Sequence, residues 1–151
     1  MFRTLTIAAA ATATLMFAGA TQASTSGTIQ LKGSVAKACT VSVSDINTTL
    51  DISGGESSRS VGTVVENCNS GAGYDITITS SNAGALRSGN EAVNYTLVYD
   101  NQSQTLGSPW TLTRSGAQFN KQVTVGVSIP AKPNAVAGTY TDTLTIQIAA
   151  K

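Results

Sequence analysis

Beyond residue 27 the chain alternates apolar and polar positions with a period of two. Ile29, Leu31, Gly33 and Val35 alternate with Thr28, Gln30, Lys32 and Ser34. Cys39, Val41 and Val43 form the next set, and Tyr74, Ile76 and Ile78 another. Val93, Tyr95, Leu97 and Tyr99 follow, then the short pair Trp110 and Leu112. Val123, Val125, Val127 and Ile129 precede a last set of Leu144, Ile146 and Ile148. Each set predicts a strand with one buried and one wet face. No window beyond the N-terminal apolar run carries a stripe of helical period.

Turn-forming residues separate the sets: Ser53-Gly54-Gly55, Asn69-Ser70-Gly71-Ala72-Gly73, Ser88-Gly89-Asn90, Ser115-Gly116 and Pro133-Asn134. Many short strands divided by frequent turns predict an antiparallel sandwich. One stretch conflicts with the pattern. If Cys68 faces inward on a regular strand, Glu66 faces inward too, so a bulge or an early strand end is expected there.

The N-terminus reads differently. Arg3 is followed by an Ala-rich apolar run from Leu5 to Gly19 and by the small-residue stretch Ala20-Thr21-Gln22-Ala23. This is the pattern of a secretory signal peptide, residues 1–23, with cleavage after Ala23 or after Ala20. No later run reaches the ~18 apolar residues of a membrane span, so an exported product is expected. Export bears on the two cysteines, Cys39 and Cys68. In an oxidising compartment they are expected to form one intramolecular disulfide; free or intermolecular thiols are the alternative.

Charge narrows the function classes. Lys and Arg number 9 against 8 Asp and Glu, and there is no histidine. Losing Arg3 with the signal leaves no net charge. No basic stripe is present for nucleic acid. Without His there is no imidazole base and no His-ligated metal, and no metal or cofactor is expected. The carboxylates Asp45, Asp51, Glu56, Glu66, Asp75, Glu91, Asp100 and Asp142 are scattered, and no pair stands out as an acid/base couple. Gly71-Ala72-Gly73 precedes a strand pattern rather than a helix, so it reads as a turn and not a phosphate loop. The sequons at Asn47, Asn94 and Asn101 are expected by chance in so Ser/Thr-rich a chain. Trp110 and the tyrosines read as packing residues ahead of a sugar platform. An enzyme is not expected.

The two ends of the chain carry the most information. An apolar alternating segment, Ser26 to Val35, stands ahead of the first cysteine strand, and Ala137 to Ile148 places another strand pattern close to the last residue. The Ala38-Cys39-Thr40-Val41 start, Cys68, Ile129-Pro130-Ala131 and Ala137-Gly138-Thr139-Tyr140-Thr141-Asp142-Thr143-Leu144 together resemble the spore coat protein U domain group, over residues 24–151. That group includes the pilins of archaic chaperone–usher pili.

The resemblance implies an all-β fold: an incomplete immunoglobulin-like antiparallel β-sandwich, residues 37–151, with an N-terminal donor strand, residues 24–36. It implies that the C-terminal strand, about Gly138 to Ala149, flanks an open groove, with Tyr140, Leu144, Ile146 and Ile148 on that side. A periplasmic chaperone would fill the groove, and an outer-membrane usher would exchange it for the donor strand of an identical or related pilin. Ile29, Leu31 and Val35 would be the pocket fillers, with Gly33 a departure where a further apolar filler is expected. Ala149-Ala150-Lys151 stands where related pilins often carry an aromatic. The implied role is a cell-surface pilus (fimbrium) subunit serving adhesion and biofilm formation. A secreted self-contained β-sandwich binding module, which would fold the N-terminal strand into its own groove, is the alternative, as is a coat protein.

Overall fold

The computed structural model describes residues 25–151; the expected signal peptide and both of its cleavage positions lie outside them. The chain divides into two units between Ser34 and Val35. In the first, residues 25–34 make no strand, and Ile29 and Leu31 are 89% and 93% exposed. The alternation at 28–35 is therefore not matched by a ladder. A strand needs a neighbour for its backbone groups, and pattern alone does not supply one.

The second unit, Val35–Lys151, contains the sandwich. Its strands are β1 (Cys39–Asp45), β2 (Glu56–Cys68), β3 (Tyr74–Ser80), β4 (Ala85–Ser88), β5 (Glu91–Asn94), β6 (Thr96–Tyr99), β7 (Gln102–Gln104), β8 (Trp110–Arg114), β9 (Gln118–Ile129) and β10 (Leu144–Ala150). There is no helix among the described residues. One sheet runs β1-β2-β9-β6-β7, a second β10-β3-β8, and β4 pairs with β5 as a small third. All pairings are antiparallel.

This is the order of an immunoglobulin-like sandwich. In spatial order β1, β2, β9 and β6 take the places of strands A, B, E and D, and β3 and β10 those of C and F. The place of strand G, on the outer side of β10, is taken by no strand among the described residues.

The inward phases of the two main sheets share one core. Val64, Val123, Val125, Val127, Leu97 and Tyr99 come from one side, and Tyr74, Ile76, Ile78 and Leu112 from the other. Trp110 packs against this core, and Tyr74, Tyr95 and Tyr99 are buried in it. The alternation at Val93–Tyr99 keeps its phase but not its continuity. Tyr95 separates β5 from β6, its N–H donating to the Gly84 carbonyl (3.0 Å), so the segment passes from the small sheet to the large one. Asp100 and Asn101, both at positive φ (51° and 60°), then form a two-residue hairpin linking Tyr99 to Gln102.

The cysteines are joined: Cys39 and Cys68 face each other across the β1–β2 ladder and form a disulfide. β2 does not end early at Glu66. The ladder to β9 shifts register between Glu66 and Cys68, yet Glu66 still points inward and is fully buried. The expected irregularity is present, but it does not turn the carboxylate outward, because the interior holds partners for it.

The C-terminal strand starts later than the sequence suggests. Thr141 first bridges to Arg87 of β4, exchanging both backbone hydrogen bonds (3.0 and 2.9 Å), and pairing with β3 begins only at Leu144. Asp142 explains the step. Its carboxylate accepts hydrogen bonds from the Ser80 and Tyr95 hydroxyls (2.6 Å each) and from the Asn82 N–H (3.0 Å), which pins the backbone between the two sheets.

Candidate functional site

Two edge strands bound an open side of the sandwich. Among the described residues β1 pairs only with β2, and β10 only with β3. Their inward phases carry Cys39, Val41 and Val43 on one side and Leu144, Ile146 and Ile148 on the other. In a closed sandwich such residues are covered; here the side chains of β10 are only half-buried and Val43 is exposed.

Between these edges lies a groove of about 470 Å³. Its apolar lining comes from Val43 of β1, Leu144 and Ile146 of β10, the half-buried Leu50 and Val61, and the core residues Leu86, Val125 and Val127. One end is polar, with Asp45, Asn47, Thr48, Thr141, Asp142 and Thr143. Tyr95 forms part of the wall at this end. Burial and its hydrogen bond to the Asp142 carboxylate push its phenol well above the usual range, so it stays a neutral donor.

Of the residues expected on the C-terminal side, Tyr140, Leu144 and Ile146 line the groove. Tyr140 is held by its hydroxyl donating to the Val136 carbonyl (2.8 Å). Ile148 packs against the core but is not part of the lining. Of the N-terminal residues, Val35 is 90% exposed, like Ile29 and Leu31, while Gly33 has open space around its Cα.

Among the described residues no strand pairs with the outer edges of β1 and β10, and these edges flank apolar surface. Sheet edges of this kind are normally shortened, charged or covered, because they template pairing with another strand. The site offers backbone donors and acceptors on two sides and side-chain pockets between them. It can bind an extended apolar segment. It offers no nucleophile–base pair, and among the described residues no cluster of His, Cys, Asp or Glu is arranged to hold a metal.

The other charged feature, which the sequence did not reveal, lies inside the sandwich. Glu66 accepts a two-pronged contact from Arg114, Nη2 to Oε1 at 2.7 Å and Nε to Oε2 at 3.0 Å. It also accepts the hydroxyls of Tyr74 (2.6 Å) and Tyr99 (2.7 Å). Arg114 extends to Asp100 (2.6 Å), which also pairs with Lys121 (3.2 Å). Burial pushes the Glu66 carboxyl up, but the bonds from Arg114, Tyr74 and Tyr99 outweigh it and hold the group below its ordinary range. Burial, with Glu66 beside them, raises the phenols of Tyr74 and Tyr99. All four donors are spent on one carboxylate, so the cluster ties β2, β3, β6 and β8 together rather than reacting. Its sequence signal was available: Arg114 shares the inward phase of Leu112, as Glu66 shares that of Val64 and Cys68.

Among solved structures, HdaB, the minor tip subunit of the E. coli Hda pilus, is similar over 72% of this chain and 79% of its own, at 7% identity and a TM-score of 0.39. No match is found among curated proteins. The Spore Coat Protein U domain family matches residues 25–147, and the chain belongs to that family.

Proposed function

We propose that this protein is a structural subunit of a chaperone–usher surface pilus that polymerises by donor-strand exchange. The observation that carries the reading is a pair of complementary, unsatisfied features in one chain. The β1–β10 groove is an apolar slot between two unpaired strand edges. The 28–35 segment forms no strand, and it carries Ile29, Leu31 and Val35 on one alternating phase, each about nine-tenths exposed. Each lacks what the other supplies.

In the assembled fibre, the segment of one copy lies in the groove of the next. It takes the empty strand-G position beside β10, with Ile29, Leu31 and Val35 directed inward and Gly33 leaving one shallow pocket. Burying the three aliphatic side chains contributes roughly 5–9 kcal/mol, and the two edges gain ladder hydrogen bonds. Before assembly the groove needs a temporary occupant, the role of a periplasmic chaperone, and an outer-membrane usher carries out the exchange. The product is an exported fibre at the cell surface serving adhesion and biofilm formation.

The test is assembly by variants altered only in the segment. Leu31→Asp places a charge in an apolar slot at a cost of several kcal/mol, and deletion of residues 24–36 removes the donor altogether. Both variants are expected to remain soluble with a chaperone and to form no fibres. Normal fibres from the deletion variant would refute the reading.

A further inference from the structure

We infer that Asn69 is a positioning residue for polymerisation: it clamps the root of the outgoing segment to its own subunit, so that successive subunits join without a flexible linker. The inference rests on the donor-strand reading and concerns the geometry of the junction rather than its existence.

The β1–β2 ladder ends at the rung Cys39–Cys68, which the disulfide closes. Asn69 is the next residue of β2's chain, where the backbone turns away: Gly73 N–H returns to the Ser70 carbonyl at 3.0 Å. Asn69 nevertheless continues the ladder. Its backbone N–H donates to the Ala38 carbonyl (3.1 Å). Its side-chain Oδ1 accepts the Ala38 N–H (2.7 Å), and its Nδ2 donates to the Ala36 carbonyl (2.8 Å). A carboxamide carries one acceptor and a donor group on a single planar unit, as a peptide group does. Here it stands in for the residue that β2 lacks. Between the two clamped residues, Lys37 donates from its ammonium to the Lys151 carbonyl, beyond the end of β10. Residues 36–38 are therefore tied to the chain just past β2 and to the residue just past β10.

The consequence lies in the spacing. Val35 is the last apolar filler of the donor run, and the carbonyl of the next residue, Ala36, is already bound by Asn69. No free residue separates the part inserted in one subunit from the part clamped to the other. Linker flexibility grows with the number of unconstrained residues. With none, each junction is a stiff joint. Removing the carboxamide releases Ala36 and the Ala38 N–H, and the joint gains free residues at its root and becomes a short tether.

The experiment compares fibres assembled from the full mature chain as wild type, Asn69→Ala and Asn69→Asp, imaged by negative-stain electron microscopy. Persistence length is read from the contours, and melting of the subunit is recorded in parallel. Asn69→Ala is expected to assemble with near wild-type subunit melting but with persistence length lowered about twofold or more. Asn69→Asp keeps the acceptor for Ala38 and loses the donor to Ala36, so it is expected to fall between the two. A merely structural role would lower melting without changing fibre stiffness. Fibres of both variants as stiff as wild type would overturn the inference and leave donor-strand exchange standing. Should Asn69→Ala not assemble, the stiffness of Asn69→Asp fibres decides. Absence of fibres from the wild type would overturn donor-strand exchange, and this inference with it.

Discussion

Replacing Arg114 by alanine tests how the buried carboxylate is held. In the native protein Glu66 is fully buried and receives two guanidinium hydrogen bonds and two phenol hydrogen bonds. Arg114→Ala leaves only the tyrosines, neither of which carries positive charge. Removing one partner of a buried ion pair costs about 3–5 kcal/mol. The Arg114–Asp100 contact is partly exposed and adds at most about 1 kcal/mol. For a body of this size, that lowers Tm by ~10–20 °C, read by calorimetry or circular dichroism on the subunit with its disulfide intact.

The pH dependence gives a sharper criterion. In the wild type the folded Glu66 carboxyl lies below its ordinary value of 4.5. Its contribution is therefore present above that value and is lost as pH falls through the folded pKa. In Arg114→Ala, burial acts without the cation, the folded pKa moves above the unfolded one, and the folded state binds the extra proton. Stability of the variant then rises as pH falls toward about 4.5, opposite in sign to the wild type below that pH. A Tm loss under about 3 °C, or acid slopes of the same sign in both proteins, would refute the reasoning.

Three further outcomes are expected. Intact mass of the exported protein is two hydrogens below the reduced form, and reduction of Cys39–Cys68, separated by 29 residues, lowers unfolding free energy by about 3–4 kcal/mol in denaturant titrations; alkylation of two thiols without reduction would contradict the disulfide. Gly73→Ala is strained, because φ is +91° and an added Cβ falls 1.9 Å from the Arg114 carbonyl oxygen; a shift in denaturation midpoint of at least about 1 kcal/mol is expected, and an unchanged midpoint would contradict it. Ile146→Asp, on the groove wall, is expected to stop assembly while leaving the chain's own 26–35 segment able to cap a wild-type subunit, visible as mixed dimers in gel filtration; fibres of Ile146→Asp alone would contradict the groove's role.

Much of the sandwich was legible because half-buried antiparallel strands write their burial into the sequence. The alternations around Val41, Ile76, Leu112, Val125 and Ile146 all fall on observed strands with the expected face inward. The first half of β2 was not legible. Its residues Glu56–Ser60 are mostly exposed and polar, and Ser58, at φ +49°, belongs to an irregular stretch that breaks the period. The passage of Val93–Tyr99 between sheets escaped for a different reason. The phase is continuous, and only the choice of partner, Ser128 for Thr96 and Ala85 for Asn94, decides which sheet each part joins.

The groove sits between these cases. Its β10 wall was visible as Leu144 and Ile146, but its floor, Leu86, Val125 and Val127, depends on which strands meet in space. Glu66 shows the limit of pattern rules: an inward carboxylate looked like a break in the strand because its partners, Tyr74, Tyr99 and Arg114, lie 8, 33 and 48 residues away. Asn69 was legible only as a turn residue. Its ladder-extending bonds to Ala36 and Ala38 follow from where the disulfide places β1.

The most direct measurement of the central claim is the melting temperature of a subunit lacking residues 24–36, with and without a synthetic peptide spanning Ser26 to Lys37. A peptide that binds only the folded groove stabilises it by mass action, about 2.7 kcal/mol at a hundredfold excess over Kd. The account predicts a low Tm for the truncated subunit that climbs steadily with peptide concentration. It predicts little effect from a scrambled peptide, since register decides which side chains meet the pockets, and none from a peptide carrying Leu31→Asp. A truncated subunit that is already a stable monomer, with a Tm indifferent to the peptide, would mean that the sandwich is complete without a strand in the G position and would contradict donor-strand exchange.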